Sequence, residues 1–332
     1  MKLTKVICTL AAIALFGAVF GGCAKVEKKL TKVSVSEVTH SIFYAPQYVA
    51  LNLGFFEEEG LEIDFSTGEG ADKVMAAVLS HSVDIGFAGP EASIYVYNEG
   101  KSDYCKVFAQ LTQRDGAFLL GREKDLDFRW EKLKGKTILP GRKGGVPYMA
   151  LEHVLKSKGM VPGKDLEFDD SVQYANLAGA FIGGTGDYVA LFEPAASTLE
   201  TNGSGYILAA IGSEAGELPY TAYFSHASFI EKNKDTIQKF VNAVYKGQKW
   251  VEEHTAEEIA KAIAPSFPDS DGGILVKVIN NYKDIGAWCT SPAMKEQAFN
   301  NLQDIMEEAG QLTKRVPFND LIDNSFARKA AK

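Results

Sequence analysis

Two glutamates of the sequence stand where a short apolar segment gives way to a turn. Glu91 follows Gly89 and Pro90, and Glu193 precedes Pro194. A carboxylate accepts hydrogen bonds from N–H groups, and in a desolvated cleft it repels an anion. A negative charge also suits the N-terminus of a helix. For both glutamates, contact with a ligand and a local role at a helix start therefore stay open.

Aromatic side chains gather at two further turns. Phe43 and Tyr44 precede Gln47, and Tyr220 and Tyr223 lie close together later in the chain. Aromatic rings stack on flat ligands, and an amide can both donate and accept hydrogen bonds. We expect these five residues to line a cleft, although Phe43 and Tyr44 could instead cap an apolar core.

A glycine-rich turn is the third candidate contact. Gly144, Gly145 and Val146 follow Arg142 and Lys143 and precede a predicted helix. Backbone N–H groups at the start of a helix bind anions. The same residues could also form a simple turn that carries two solvated charges.

Motifs for catalysis, metals and nucleotides are missing from the sequence. It contains no GxSxG, HExxH, Walker or EF-hand pattern, and Gly68-Glu69-Gly70 lacks the third glycine of a dinucleotide fingerprint. The histidines are scattered, at His40, His81, His153, His226 and His254. Cys105 and Cys289 do not have metal-ligand spacing, and two buried thiols are favoured over one disulfide. We therefore predict no catalytic residue, no metal site and no cofactor.

The N-terminus has the pattern of an export signal. Lys2 and Lys5 precede an uncharged run of 15 residues, Val6–Phe20, which is short for a membrane span. The run leads into Phe20-Gly21-Gly22-Cys23, which resembles a bacterial lipobox except that Phe20 replaces the usual leucine. A membrane helix with an incidental cysteine is the alternative interpretation.

This pattern predicts how the chain is anchored. The signal peptide would cover 1–22, Cys23 would receive the lipid, and 23–32 would form a polar tether. A lipidated cysteine that carries more than one acyl chain is held stably in a membrane. We expect an exported protein, anchored to the outer face of the bacterial cell membrane.

Composition and charge narrow the class of protein. The chain has 332 residues, of which 46% are hydrophobic and 23% are charged, which is ordinary for a globular protein of two lobes or one large α/β unit. The net charge is −8 and the body carries no basic run. We therefore expect no binding to nucleic acid.

Short strands and helices alternate along the body of the chain. Strands are predicted over 32–38, 61–65, 83–87 and 105–111, with helices over 43–53, 71–79 and 91–97. After Asp115-Gly116 the rhythm restarts, with strands over 117–120, 137–139, 166–168 and 189–192 and a helix over 148–158. This pattern predicts an α/β protein with parallel strands and helices on both faces. The remainder is helix-rich, and Ser291-Pro292 has the form of a helix start.

Several short motifs follow one another in a specific order. They are Phe43–Ala50, Gly54–Phe56 with Glu59–Ile63, Val83–Gly86 with Gly89–Glu91, Leu133–Lys136, Phe192–Pro194, and Val316–Phe318 with Leu321–Asp323. Together they resemble the solute-binding proteins of ABC importers for sulfonates, taurine, nitrate and thiamine-precursor pyrimidines. The resemblance extends over 33–326.

The resemblance implies a two-lobed α/β fold, the type II periplasmic-binding-protein fold, with a hinge that the chain crosses twice. Lobe 1 would comprise 33–116 and 218–332, and lobe 2 would comprise 117–217. The crossings would lie near Gln113–Gly116 and Glu217–Tyr220. A ligand would be held between the lobes, which close on it.

The resemblance also implies a function. The protein would capture a small-molecule solute and deliver it to a cognate ABC permease and its ATPase. The expected ligand contacts are the residues at strand ends: Phe43, Tyr44, Gln47, Gly89, Pro90, Glu91, Gly144, Gly145, Val146, Glu193, Tyr220 and Tyr223. Because Glu91 and Glu193 would repel an anion, a pyrimidine or another heterocycle is favoured over a sulfonate-, taurine- or nitrate-type oxyanion.

Two hypotheses from other classes stay open. One is an enzyme on the same fold, which would need clustered histidines or cysteines, and the scattered histidines argue against it. The other is a surface lipoprotein whose cleft has degenerated and binds no small molecule.

Overall fold

The computed structural model describes residues 29–100 and 102–332. The predicted signal peptide over 1–22, the lipidation site Cys23 and the first part of the tether lie outside the described residues. Within the described ranges, no helix is both long enough and apolar enough to cross a membrane.

Strands and helices alternate through most of the described ranges. The strands are β1 (Thr31–Glu37), β2 (Leu61–Thr67), β3 (Ile85–Ala88), β4 (Cys105–Thr112), β5 (Ala117–Gly121), β6 (Thr137–Leu139), β7 (Glu167–Phe168), β8 (Tyr188–Phe192), β9 (Tyr206–Ala210) and β10 (Thr221–His226). The first helices are α1 (Ala45–Asn52), α2 (Phe55–Glu58), α3 (Ala71–Leu79), α4 (Glu91–Asn98), α5 (Val146–Ser157), α6 (Leu177–Ile182), α7 (Ala195–Thr201) and α8 (Ile211–Ala215). The C-terminal helices are α9 (Ala227–Lys232), α10 (Lys234–Glu253), α11 (Ala256–Ile263), α12 (Gly272–Asp284), α13 (Glu296–Glu308), α14 (Phe318–Leu321) and α15 (Ser325–Ala330).

Two sheets organise the chain. The first is a 5-stranded sheet of order β2-β1-β3-β10-β4, and the second is a 5-stranded sheet of order β7-β6-β8-β5-β9. The chain leaves the first sheet after β4, enters the second at β5 and returns from β9 to β10. It therefore crosses between the sheets twice, through 113–116 and through 211–220. This two-lobed α/β architecture confirms the predicted fold class.

Each sheet contains one strand that runs against its neighbours, so the prediction of parallel strands throughout is wrong. β10 is antiparallel to β3 and β4, and β5 is antiparallel to β8 and β9. β10 begins at Thr221, opposite Thr112 at the end of β4, and β5 begins at Ala117, opposite Phe192 at the end of β8. The chain thus enters each sheet at the end where the neighbouring strands have their carboxyl termini. The strand that begins there therefore runs antiparallel to those neighbours.

The alternating side chains of β5 belong to two apolar cores. Phe118 and Leu120 join a cluster that continues into the first sheet, whereas Ala117 and Leu119 join a second cluster with part of helix α5. This division follows from the strand geometry, because successive side chains point to opposite faces of a sheet. One core therefore spans both sheets, and Thr31–Lys332 forms one compact unit.

The helix start predicted at Ser291-Pro292 is wrong. Helix α13 begins later, at Glu296. The Pro292 carbonyl oxygen accepts a 2.8 Å hydrogen bond from the backbone N–H of Gln110 in β4. Pairing with the edge of the first sheet holds this segment out of the helix.

The two cysteines of the described ranges do not form a disulfide bond. Cys105 and Cys289 are both buried free thiols, as expected. Burial raises the pKa of the Cys105 thiol to about 12, and it raises that of Cys289 as well. A buried neutral thiol packs as a small apolar side chain.

Candidate functional site

Aromatic side chains from both sheets meet where the strands end. The ring centroid of Phe43, which follows β1, lies 5.8 Å from that of Phe192 at the end of β8. It lies 5.7 Å from that of Tyr220, which precedes β10, and 5.6 Å from that of Tyr44. Tyr174 completes the group, 6.1 Å from Phe192. These five residues are referred to below as the aromatic cluster.

Local structure fixes Phe43 in this position. Its backbone N–H donates to the Ser41 hydroxyl over 3.2 Å, which caps a short 3-10 turn. Its carbonyl oxygen accepts a 2.8 Å hydrogen bond from the Trp288 ring nitrogen. A Cβ atom at Gly116 would lie only 2.6 Å from the Phe43 ring, so the glycine of the first crossing leaves room for that ring.

Asp115 of the first crossing lies beside the aromatic cluster and is fully buried, with 0% exposure. Its Oδ1 accepts a 2.6 Å hydrogen bond from the backbone N–H of Ala117. Its Oδ2 has no hydrogen-bond partner, and neither does the buried hydroxyl of Tyr220. That hydroxyl is near enough to lower the pKa of Asp115, but the two groups do not meet hydrogen-bond geometry. Burial is the larger effect and raises the pKa of Asp115 to about 7.

Glu91 begins helix α4 directly after β3 and is 8% exposed. Its Oε2 also has no hydrogen-bond partner. Burial raises the pKa of this carboxyl to about 7, while its own backbone N–H and the charge of Arg142 lower it. A Cβ atom at Gly89 would lie 2.0 Å from Oε2. Glycine at position 89 therefore leaves the space that the carboxylate occupies.

These groups share one electrostatic neighbourhood. Burial raises the pKa of Tyr220, and the carboxyls of Asp115 and Glu91 raise it further. Burial also raises the pKa of Tyr44, which the nearby Thr221 hydroxyl lowers and the Glu91 carboxyl raises. Glu91 and Asp115 thus both act on the Tyr220 hydroxyl, although they come from different segments of the chain.

Glu193 has a different environment. Its Oε1 accepts hydrogen bonds from the Ser197 hydroxyl (2.8 Å) and the Asn281 amide (2.6 Å). Its Oε2 accepts from the backbone N–H of Ser197 over 2.8 Å. Both oxygens are therefore occupied within the protein. The structure shows the local role at the start of helix α7 that the sequence left open.

Gln47 and Tyr223 are bonded to each other inside the first sheet's core. The Tyr223 hydroxyl donates to Gln47 Oε1 over 2.8 Å, and Gln47 Nε2 donates to Glu37 over 2.8 Å. Glu37 also accepts from the Tyr48 hydroxyl (2.6 Å) and contacts a ring nitrogen of His40 (2.9 Å). The side-chain amide of Gln47 is thus used by the protein, and we leave Gln47 and Tyr223 out of the proposed site.

The glycine-rich turn lies near Glu91. Gly144 has a φ of 82°, and Gly145 is the N-cap of helix α5 without a side-chain hydrogen bond. Val146 is buried at the start of that helix. The preceding Arg142 supplies the positive charge that acts on the Glu91 carboxyl. The turn between β6 of the second sheet and helix α5 thus places Arg142 near Glu91.

A surface hollow of about 480 Å³ lies elsewhere. It is lined by Lys32, Glu62 and Asp84 among others. These residues stand at the amino ends of the first sheet's strands. Because ligands of open α/β sheets bind at the carboxyl ends, we place the candidate site at the aromatic cluster.

The expected ligand contacts did not include Asp115, Tyr174 or Phe192, although Phe192 belongs to one of the sequence motifs. Asp115 lies in the predicted crossing Gln113–Gly116, and a carboxylate beside a glycine in a hinge was a usable signal. Tyr174 begins a short 3-10 turn between β7 and α6, and no pattern in the sequence marked it. Ser93 also has a buried hydroxyl without a partner, two residues after Glu91.

Comparison with known proteins gives one family. The family model described as NMT1/THI5 like matches residues 42–258, a range that includes Glu91, Asp115 and the whole aromatic cluster. YtlA of Bacillus subtilis (strain 168), a candidate binding protein, is 47% identical over 305 residues, which are 92% of this chain and 91% of YtlA. The resemblance found in the sequence is thereby confirmed.

Solved structures show the same fold. The alkanesulfonate-binding protein SsuA from Xanthomonas axonopodis pv. citri, bound to MOPS, has a TM-score of 0.70 at 17% identity, covering 89% of this chain and 99% of that chain. The periplasmic nitrate-binding protein NrtA from Synechocystis PCC 6803 has a TM-score of 0.71 at 15% identity, covering 91% and 89%. A protein from Bordetella bronchiseptica RB50 has a TM-score of 0.72 at 22% identity, covering 91% and 97%.

Proposed function

The chain belongs to the NMT1/THI5-like family of binding proteins, and we propose that it is an extracytoplasmic lipoprotein receptor of an ABC importer. It captures a small-molecule solute and delivers it to a cognate permease and its ATPase. Lobe 1 comprises 33–116 and 218–332, lobe 2 comprises 117–217, and the solute sits between them. The protein acts by binding and returns the solute unchanged.

The aromatic cluster is the observation that carries this proposal. Phe43 stands after β1 of the first sheet, whereas Phe192 ends β8 of the second, and their rings meet at 5.8 Å. A flat heterocycle held among these rings contacts both lobes at once. A ligand that contacts both lobes only when they are together stabilises that arrangement. The permease then binds the surface that the two lobes present in this closed arrangement.

A second candidate is an oxyanion receptor. Gly145 at the start of helix α5 lacks a side-chain cap, and Arg142 lies in the same turn. Two proteins of similar fold are named for binding alkanesulfonate and nitrate. The buried carboxyls of Glu91 and Asp115 oppose this candidate, because a carboxylate repels an anion in a dry cleft.

A thermal-shift screen separates the two candidates. The full chain, purified from membranes in detergent, is freed of bound solute and mixed with pyrimidines, nucleobases and riboflavin, or with taurine, alkanesulfonates and nitrate. A native-state ligand at 100 times its Kd stabilises the fold by about 2.7 kcal/mol. We expect a heterocycle to raise the melting temperature and Phe43→Leu to abolish the shift. A shift with an oxyanion alone would contradict the heterocycle, and no shift with either group would count against the receptor.

The lipid anchor has its own test. Cys23→Ser removes the thiol of the lipobox, and Cys8→Ser is the matched control inside the same signal. We expect radiolabelled palmitate to be attached to the wild-type chain and to Cys8→Ser, but not to Cys23→Ser. Label in the Cys23 variant would contradict lipidation at that residue.

A further inference from the structure

Four carboxylate side chains are buried within the described ranges, and they differ in how their oxygens are bonded. They are Glu37, Glu91, Asp115 and Glu193. Each oxygen of Glu37 and of Glu193 has a hydrogen-bond contact inside the protein. The protein itself therefore supplies hydrogen-bond partners to both oxygens of these two buried carboxylates.

Glu91 and Asp115 break this pattern. Glu91 Oε2 has no hydrogen-bond partner, and Asp115 Oδ2 has only the nearby Tyr220 hydroxyl, which does not meet hydrogen-bond geometry. A buried polar group that makes no hydrogen bond costs free energy, and a buried charge costs more. Both residues lie beside the aromatic cluster, where a solute would complete their bonding.

The charges around Glu91 and Asp115 indicate which chemical group of a solute would complete their hydrogen bonding. Among the described residues, Arg142 is the one cation that acts on the Glu91 carboxyl, and none contributes to the pKa shift of Asp115. Two carboxylates against one guanidinium leave an excess of negative charge. The aromatic cluster adds ring faces, which attract cations.

We propose that the solute carries a positively charged nitrogen group, an amine or an amidinium, that the carboxylates of Glu91 and Asp115 attract while its body packs on the aromatic cluster. This inference rests on the proposed function, because it concerns the same cleft. The structure assigns the charge of the solute, whereas the receptor role alone would allow a neutral or an anionic one.

Three probes of one shape and different charge test it. Benzamidine carries an amidinium on a flat ring, benzamide is its neutral counterpart, and benzenesulfonate carries the opposite charge. Isothermal titration of the full chain in detergent at pH 8 measures all three. We expect benzamidine to bind at least tenfold more tightly than benzamide and benzenesulfonate not to bind.

Variants then locate the contact. Glu91→Gln and Asp115→Asn keep the shape of the side chain and remove its charge. We expect each to weaken benzamidine binding by about tenfold or more, the usual range for a hydrogen bond to a charged group. Glu131→Gln and Asp170→Asn change exposed carboxylates and serve as matched controls. Circular-dichroism melts show whether each variant folds.

The pH dependence gives a readout that needs no variant. Burial raises the pKa of both carboxyls to about 7, so both lose their charge between pH 8 and pH 6. The other groups that face them are Arg142, Tyr44, Tyr95, Tyr174 and Tyr220, and the pKa values of these tyrosines are raised. None of these tyrosines titrates in that window. We expect benzamidine affinity to fall by about tenfold or more from pH 8 to pH 6, since one pH unit below a pKa leaves about a tenth of a group ionised.

The outcomes are distinct. Benzamidine binding that both variants and low pH weaken supports the inference. Tighter binding of benzenesulfonate or benzamide than of benzamidine overturns it and leaves the receptor role intact. Absence of benzamidine binding at 10 mM also overturns it. The receptor role fails separately, if no compound of any charge binds in the thermal-shift screen.

Discussion

The side-chain amide of Asn281, in helix α12, donates a 2.6 Å hydrogen bond to Glu193 Oε1 at the end of β8. Helix α12 packs near the first sheet's 3-10 turn, and β8 belongs to the second sheet. The bond therefore ties the C-terminal helices to the second sheet. It is one of three hydrogen bonds that Glu193 accepts inside the protein.

The first prediction concerns this tie. Glu193→Ala leaves both Ser197 donors without an acceptor and leaves the Asn281 amide only its longer bond to the Ser197 hydroxyl, so we expect the free energy of unfolding to fall by about 1–3 kcal/mol. Asn281→Ala removes one donor and should cost less. Urea titration followed by circular dichroism measures both. Equal stability of Glu193→Ala and wild type would contradict the structural role.

The second prediction uses the space beside Glu91. A Cβ atom at position 89 would lie 2.0 Å from Glu91 Oε2, so Gly89→Ala has to displace the carboxylate. We expect benzamidine affinity to fall by about tenfold, the cost of one hydrogen bond to a charged group. Gly272→Ala, where nothing lies within 4 Å of the new Cβ, is the matched control. Unchanged affinity in Gly89→Ala would show that Glu91 does not touch the solute.

The third prediction separates the core from the cleft. Tyr223→Phe removes the hydroxyl that donates to Gln47, and we expect the free energy of unfolding to fall by about 1 kcal/mol. The solute is not touched, so benzamidine affinity should stay within twofold of wild type. Calorimetric titration and a denaturant curve on the same preparation check both. A large loss of affinity with no loss of stability would return Tyr223 and Gln47 to the ligand site.

The fourth prediction concerns stability against pH. Burial raises the pKa of Glu91 and Asp115 to about 7, above the ordinary values of 4.5 and 3.8. The folded state therefore holds their protons longer than the unfolded state does, and stability should fall as pH rises from about 4 to about 7. One pKa unit corresponds to about 1.4 kcal/mol, so the fall amounts to a few kcal/mol for each of the two groups.

Melting temperatures of the solute-free chain between pH 4 and pH 8 measure this effect. The double variant Glu91→Gln/Asp115→Asn should show a flatter profile, because it lacks both carboxyls. Parallel profiles for the variant and the wild type would mean that the two groups titrate normally. Benzamidine at saturation should recover stability at pH 8, since it supplies the missing partner.

Much of the fold could be predicted from local patterns. Val74 and Val78 have the spacing of a helix face, and helix α3 covers the predicted 71–79. Strand β6 likewise matches 137–139. The direction of β5 and β10 could not be predicted from the residues of these strands. It depends on whether the chain enters each sheet at the amino or the carboxyl ends of the neighbouring strands.

The site was harder to predict, because burial and pairing are properties of the folded chain. Glu91 and Glu193 look alike in the sequence, each at a turn beside a proline. Only the folded chain brings Asn281 to Glu193 and leaves Glu91 Oε2 without a partner. Asp115 drew no attention as a side chain, since its burial depends on residues about a hundred positions away, such as Tyr220.

The most direct test of the receptor account is to identify what the protein carries. The full chain and the variant Glu91→Gln/Asp115→Asn are purified in parallel from host membranes, denatured in acid and analysed by mass spectrometry for released small molecules. The account predicts one compound in near-stoichiometric amount from the wild-type chain, retained on a cation exchanger, and little of it from the variant. Release of no compound, or of equal amounts from both proteins, would contradict it.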